Sequence, residues 1–330
     1  MQQNRFLFFA IIGVAIIGVI IMIVARQFFS DSLVQVGPTV AIQVVVAPSL
    51  EPWAEQAAQT FNETNSNTQV TIVTARSLLV DNEFSGSLQT QPPAAWLAES
   101  TFIVDMARTN GLQFDTVGSV AQTSMAWGAF TDKEADFTQN YGSLSWEGAN
   151  AKATSGDFLT VVMAAPDSSA EAVAALISAT AAHLGKQSLS GADVSSANGW
   201  LTETFKDNIR TPPRPAEAFA TATGRSIGDA GILSQAAWRQ AGLQGNADFS
   251  ITPAQPNVVL DYPFAVWAGS QSTPDAQQAA QSFYQHLLSQ SEQSKLANFS
   301  LEKAGDNFST VQTDGQAGLA LLRFAEQIAP

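Results

Sequence analysis

The stretch AIQVVVAPSL at residues 41–50 begins as an unbroken apolar run and stops at Pro48 and Ser49. Runs of that kind suit strands buried on both faces, as in parallel sheets. Trp53, Ala57, Ala58 and Phe61 then recur at helical spacing, NETNSN (62–67) reads as a turn, and VTIVTA (70–75) reads as a second strand. Strand, helix and strand inside residues 41–75 make a βαβ unit, whose expected hand is right.

The same alternation continues. AAWLAESTFIVDMAR (94–108), after Pro92 and Pro93, predicts a helix containing Trp96 and Phe102. SMAWGAF (124–130) has strand character, and FLTVVMAAP (158–166) predicts another buried strand. Directly after it, Ser168 and Glu171 match a capping box, in which each side chain satisfies a free backbone N–H at a helix start. Val173, Leu176, Ile177 and Leu184 supply that helix's buried face. Further helices are expected in GWLTETFKDNI (199–209), near Ser234 after GDAGIL, in STPDAQQAAQSFYQHLLSQ (272–290) behind Thr273 or Asp275, and in AGLALLRFAEQIA (317–329). Strands and helices in alternation predict an α/β fold. A length of 330 residues allows about two domains.

One apolar run breaks the pattern. VVLDYPFAVW (258–267) is a strong strand signal interrupted by Asp261, Tyr262 and Pro263. A central strand avoids both a proline and a buried carboxylate, so the interruption needs an explanation.

The N-terminus carries a different signal. Phe6–Val24 is a run of 19 uncharged residues flanked by Arg5 and Arg26. About 20 apolar residues span a bilayer as a helix, and no A-x-A cleavage pattern follows, so residues 1–29 read as a single transmembrane anchor and 30–40 as a tether, with a long cleaved signal peptide as the alternative. Arg5 and the α-amine lie on the short side, which places that side in the cytoplasm and the remainder of the chain outside the cell membrane. The net charge of −14 and the lack of any Lys or Arg run argue against nucleic acid as a partner. With no cysteine, disulfides, thiolate chemistry and a cysteine-linked lipid are excluded.

Catalytic motifs are missing. The sequence has no G-x-S-x-G, P-loop, G-x-G-x-x-G or H-E-x-x-H pattern. His183 and His286 stand over 100 residues apart on separate helix patterns, and Asp193 and Asp229 suit turns. The reading is a non-enzyme, with no cofactor and no metal.

Several segments together resemble one family. IQVVVAPSLEPWAEQAAQTFNETN is similar to the first strand and helix of bacterial extracellular solute-binding proteins with the type 2 periplasmic-binding fold. LTVVMAAPDSSAEAVAAL resembles their second-lobe strand and helix, and DYPFAVW with AAQSFYQHLLSQSEQSKL resembles their returning strand and helix. The resemblance covers residues 41–305 and is nearest to modules found with von Willebrand type A domains. This sequence departs from that subgroup at Ala170-Glu171-Ala172, where a glycine is usual, and at NFSLEKAG (298–305), which lacks an arginine.

The resemblance implies a two-lobed α/β domain: residues 41–125 and 256–330 as lobe one, 126–255 as lobe two, with crossings near 124–130 and at VVLDYPFAVW. In open α/β sheets, ligands sit beyond the carboxyl ends of strands, near helix N-termini. On that basis the expected ligand contacts are Ser49, Ser77, Ser168, Ser169, Ser234, Asp261 and Tyr262, and Trp96 and Trp127 are weighed as cleft or core residues. The implied function is capture of a small polar solute by hinge closure. The implied partner is a transporter or a von Willebrand type A protein. A ligand-free interaction module on the same fold, and a hydrolytic enzyme, remain as alternatives.

Overall fold

The computed structural model describes residues 39–85, 92–305 and 310–329. The expected anchor, Phe6–Val24, lies outside the described residues. Among those described, no helix is long and apolar enough to cross a membrane.

Two sheets organise the chain. The first has the order β2-β1-β3-β12-β4, where β1 is Val40–Val46, β2 Thr68–Thr74, β3 Ala95–Leu97, β4 Phe114–Ser119 and β12 Pro263–Trp267. β1 runs parallel to both β2 and β3, and β12 lies antiparallel between β3 and β4. Val44, Val45 and Val46 are wholly buried, as an apolar run at the centre of a parallel sheet requires. Helix α1 (Glu51–Thr64) covers one face with Trp53, Ala54, Ala57, Ala58 and Phe61.

Trp96 departs from the expectation of a helix over 94–108. It sits in β3 with Val45 and Ala265 beside it, and helix α3 (Thr101–Thr109) begins only after Ser100. (α2 is the short helix Asp81–Ser85.) Sheet pairing on both sides overrides the local helical preference of AAWLAES.

The second sheet has the order β10-β5-β9-β6-β8. Here β5 is Ala121–Phe130, β6 Val161–Val162, β8 Ile209–Arg210, β9 Ala230–Ser234 and β10 Phe249–Pro253. Helices α4 (Thr131–Tyr141), α5 (Trp146–Ser155), α6 (Ala170–Leu184) and α7 (Gly191–Phe205) follow β5 and β6 in the chain. α7 starts earlier than the expected 199 and stops before Ile209, which belongs to β8.

β5 is the first link between the sheets. Met125–Phe130 pairs with β9 and β10, whereas Ala121–Ser124 pairs with β11 (Val259–Leu260) and β13 (Glu302–Lys303). β11 is the returning link, antiparallel to β5 with Leu260 opposite Thr123. After β11 the chain leaves all pairing at Asp261 and Tyr262 and resumes as β12 in the first sheet. VVLDYPFAVW is therefore two strands of two different sheets, broken at the interruption read in the sequence.

The break is a sharp turn. Tyr262 has φ +38°, a conformation that a bulky side chain adopts only under constraint. Three backbone bonds hold the turn and the segment beside it: Tyr262 N–H to Glu99 O at 3.2 Å, Val120 N–H to Tyr262 O at 3.1 Å, and Ala98 N–H to Pro263 O at 3.1 Å.

The last helix, α12 (Gly315–Ile328), packs on α3 of the first lobe and on α6 and α7 of the second. Its approach to α3 is close: a Cβ on Gly318 would meet Met106 Cγ at 2.6 Å. One apolar core joins residues of both lobes, from Val45 and Phe264 to Leu176 and Phe205. A smaller cluster around Phe130, Phe219, Trp238 and Phe249 lies with the second sheet. Trp127 and Trp96 are both buried in the larger core.

Candidate functional site

Strand ends from both sheets open onto one cleft. From the first lobe come the turn Pro48–Leu50 after β1 and the segment Ala98–Ser100 after β3. From the second come Ser168 and Ser169 before α6, and Ser234 at the end of β9. Tyr262 of the crossing closes the floor. Pro48, Ser49, Glu99, Ser168, Ser169, Glu171, Glu217, Ser234, Gln240 and Tyr262 are among the lining residues.

The helix starts explain why these side chains point where they do. Ser169 caps α6, its Oγ accepting the Glu171 N–H at 3.2 Å. Ser234 caps α9 (Gln235–Gln240), its Oγ accepting the Ala237 N–H at 3.0 Å. Ser49 caps nothing: it sits in a 3₁₀ turn, and its hydroxyl donates to Glu99 Oε1 at 2.7 Å.

Glu99 is the centre of the network. Its side chain is 6% exposed. Oε2 accepts the Ala170 N–H at 2.5 Å and lies 3.4 Å from the Ser169 hydroxyl, so a lobe-one carboxylate sits on the N-terminus of a lobe-two helix. Burial raises its pKa, and the bonds from Ser49, Ala170 and Ser169 oppose that rise. Glu171, the second residue of α6, reaches across to the Ser234 N–H at 2.9 Å. Burial, with the nearby Glu99 and Glu217 charges, pushes its carboxyl up to about 7. Tyr262 is 2% exposed, and burial together with Glu99 and Glu171 drives its phenol well up.

The cleft thus assembles Ser49, Ser168, Ser169, Ser234 and Tyr262 of the residues expected from sequence. Ser77 stands in an adjoining hollow that shares Pro48, Glu99 and Ser168 with the cleft. Asp261 faces a different pocket, with Ser100, Thr101 and Ser119. There its carboxylate accepts the Thr101 N–H at 2.7 Å, the Thr101 hydroxyl at 2.5 Å, and the Ser100 and Ser119 hydroxyls at 3.0 Å each. It caps α3 and ties the crossing to it.

Two carboxylates escaped the sequence reading. Glu171 matches a capping box with Ser168, but the cap is Ser169, and the Glu171 side chain bonds Ser234 instead of turning back. Glu99 carries no local signal, because its helix-start partner Ala170 is 71 residues away.

The remaining candidates have structural surroundings. Asp193 makes a capping box with Ser190 at the start of α7, and Asp229 accepts the Thr160 N–H and pairs with Lys152. His183 stacks on Trp200, and His286 packs edge-on against Phe61. Among the described residues no group of three or more His, Asp and Glu converges as a metal site.

A family profile described as bacterial extracellular solute-binding protein matches residues 42–299. No curated protein sequence matches the chain. Among solved structures, iron-bound HitA from Pseudomonas aeruginosa superposes with a TM-score of 0.61 at 13% identity, over 87% of this chain and 99% of that one. The sulfate-binding protein SubI from Mycobacterium tuberculosis gives 0.58 at 14% identity, over 84% and 96%. The periplasmic binding protein AfuA from Actinobacillus pleuropneumoniae, with fructose-6-phosphate bound, gives 0.58 at 12% identity, over 87% and 95%.

Proposed function

The chain belongs to the bacterial extracellular solute-binding proteins, and from that premise we propose that it captures a small polar solute between its two lobes on the outer side of a cell membrane. The observation that carries this reading is the convergence of Ser49, Ser168, Ser169, Ser234 and Tyr262, from both lobes and the crossing, on one cleft. Closure about the two links, β5 and β11, is the motion this architecture favours. Residues 41–125 with 256–330, and 126–255, are the proposed moving bodies. α12, which touches helices of both lobes, limits how far they part.

Phe6–Val24 is the proposed anchor, with residues 30–39, up to the start of β1 at Val40, as tether, holding the domain outside near a transporter or a von Willebrand type A protein. Protease added to intact cells from which the outer layers have been stripped should digest the domain. Protection until the cell membrane is opened would reverse the orientation.

The structural neighbours are named for iron, sulfate and a sugar phosphate, at 12–14% identity. The residues of this cleft, not those names, decide the ligand here. A second reading, a ligand-free interaction module, is favoured by one observation: Glu99 already joins the lobes through Ala170. A thermal-shift screen of the full-length chain in mild detergent against sugars, oxyanions, amino acids and amines separates the two. A rise in melting temperature with one class supports capture, and no rise with any class supports the second reading.

A further inference from the structure

We infer that the Glu99 carboxyl already occupies the start of α6, so the cleft refuses oxyanions and takes a small organic cation bearing a primary ammonium. The inference rests on the solute-capture reading and names the ligand class for that same cleft.

Oxyanions in sites of this kind are held by free amides at helix starts. Here the protein's own groups hold those amides. The Ala170 N–H goes to Glu99 and the Glu171 N–H to Ser169 Oγ. At the second helix start, the Ser234 N–H goes to Glu171, the Ala236 N–H to Thr123 Oγ1 and the Ala237 N–H to Ser234 Oγ. Among the described residues no Lys, Arg or His lines the cleft to replace them, and Arg76 stands in the adjoining hollow.

What the cleft offers instead is acceptors. Glu99, Glu171 and Glu217 line it together with the serine hydroxyls, and among the described residues no cation pairs with any of the three. Glu99 is buried and Glu171 partly buried, each without a counter-charge, whereas Glu217 is exposed at the rim; a bound cation relieves the cost carried by the first two. The raised pKa of Glu171 reflects the same deficit. A metal ion is the weaker match, because the carboxylates do not converge as a coordination set. An ammonium, with three donors on a compact charge, needs no fixed coordination shell and suits Glu171 flanked by serines.

The test is calorimetric titration of the full-length chain with putrescine, choline, sulfate, molybdate and glucose, in parallel with Glu171→Gln and Glu99→Ala. Putrescine should bind more tightly than choline, and Glu171→Gln should weaken it at least tenfold. Sulfate should not bind the wild-type chain and should bind Glu99→Ala, whose α6 start is freed. Sulfate or molybdate binding to the wild type, or failure of Glu99→Ala to gain sulfate, would overturn the role given to Glu99. Binding of glucose or choline in place of putrescine would overturn the ammonium assignment and leave solute capture standing. Silence from all five, together with a screen that finds no other solute, removes both.

Discussion

Glu99 of the first lobe accepts the backbone N–H of Ala170, the first residue of a second-lobe helix, at 2.5 Å. The bond places a carboxyl oxygen where the helix presents its partial positive charge. It also couples the cleft to the crossing, because the backbone carbonyl of Glu99 accepts the N–H of Tyr262 there. One residue therefore touches helix start, cleft and crossing.

That bond should be measurable by hydrogen exchange. Glu99→Ala leaves the Ala170 amide and the Ser49 hydroxyl without their partner, a loss of about 1–3 kcal/mol for a charged, buried acceptor. The amide of Ala170 should then exchange at least tenfold faster than in the wild type. Unchanged exchange would mean that the contact does not hold the lobes together.

Glu171 sets a pH dependence whose sign follows from its raised pKa. The ordinary value is 4.5 and the folded value about 7, so the folded chain keeps a proton that the unfolded chain has released. The stability penalty is absent below about pH 4.5, grows as pH rises, and is complete above about pH 7. The charged groups facing Glu171 are Glu99 and Glu217, and both act in the same direction. Relative to Glu171→Gln, the wild-type melting temperature should fall steadily across that window. A constant difference between the two proteins would show that Glu171 titrates normally.

Asp261 should matter for stability more than for ligand. Its carboxylate takes four hydrogen bonds that join the crossing to the start of α3 and to Ser119. Asp261→Ala should cost roughly 2–4 kcal/mol in urea unfolding, through a lost cap and stranded hydroxyls. Solute affinity should change less than threefold, since the side chain faces away from the cleft. A large loss of affinity with unchanged stability would place Asp261 in the site.

Helix α12 should resist enlargement where it meets α3. Gly318→Leu drives a side chain into Met106, and overpacking of this kind costs about 1–3 kcal/mol. A lowered melting temperature with a larger radius of gyration in solution scattering is the expected outcome. A wild-type melting curve would indicate that α12 does not clamp the two lobes.

The division between what sequence revealed and what it hid follows the range of the interactions. The β1–α1 unit and the caps at Ser234 and Thr273 depend on neighbours a few residues away, and their signals are local. The break at Asp261 and Tyr262 was legible because proline and a carboxylate forbid a buried ladder there. Trp96 was misread because its strand exists only through pairing with Val45 and Ala265, which are distant in sequence. Glu171 satisfied a local motif that the fold does not use. Glu99 satisfied none, although it is the most connected acidic residue in the cleft. The Glu99 contact arises between the lobes and the Glu171 contact between residues 63 apart within the second lobe, where no periodicity reports them.

The central claim, that the cleft between the lobes holds a solute, is tested most directly by calorimetric titration of the full-length chain with the solute that raises its melting temperature. Wild type should bind with one site per chain, and Ser234→Ala and Glu171→Gln should each weaken binding about tenfold or more. Equal affinity in all three proteins, or no binding by wild type across every solute class, would contradict it.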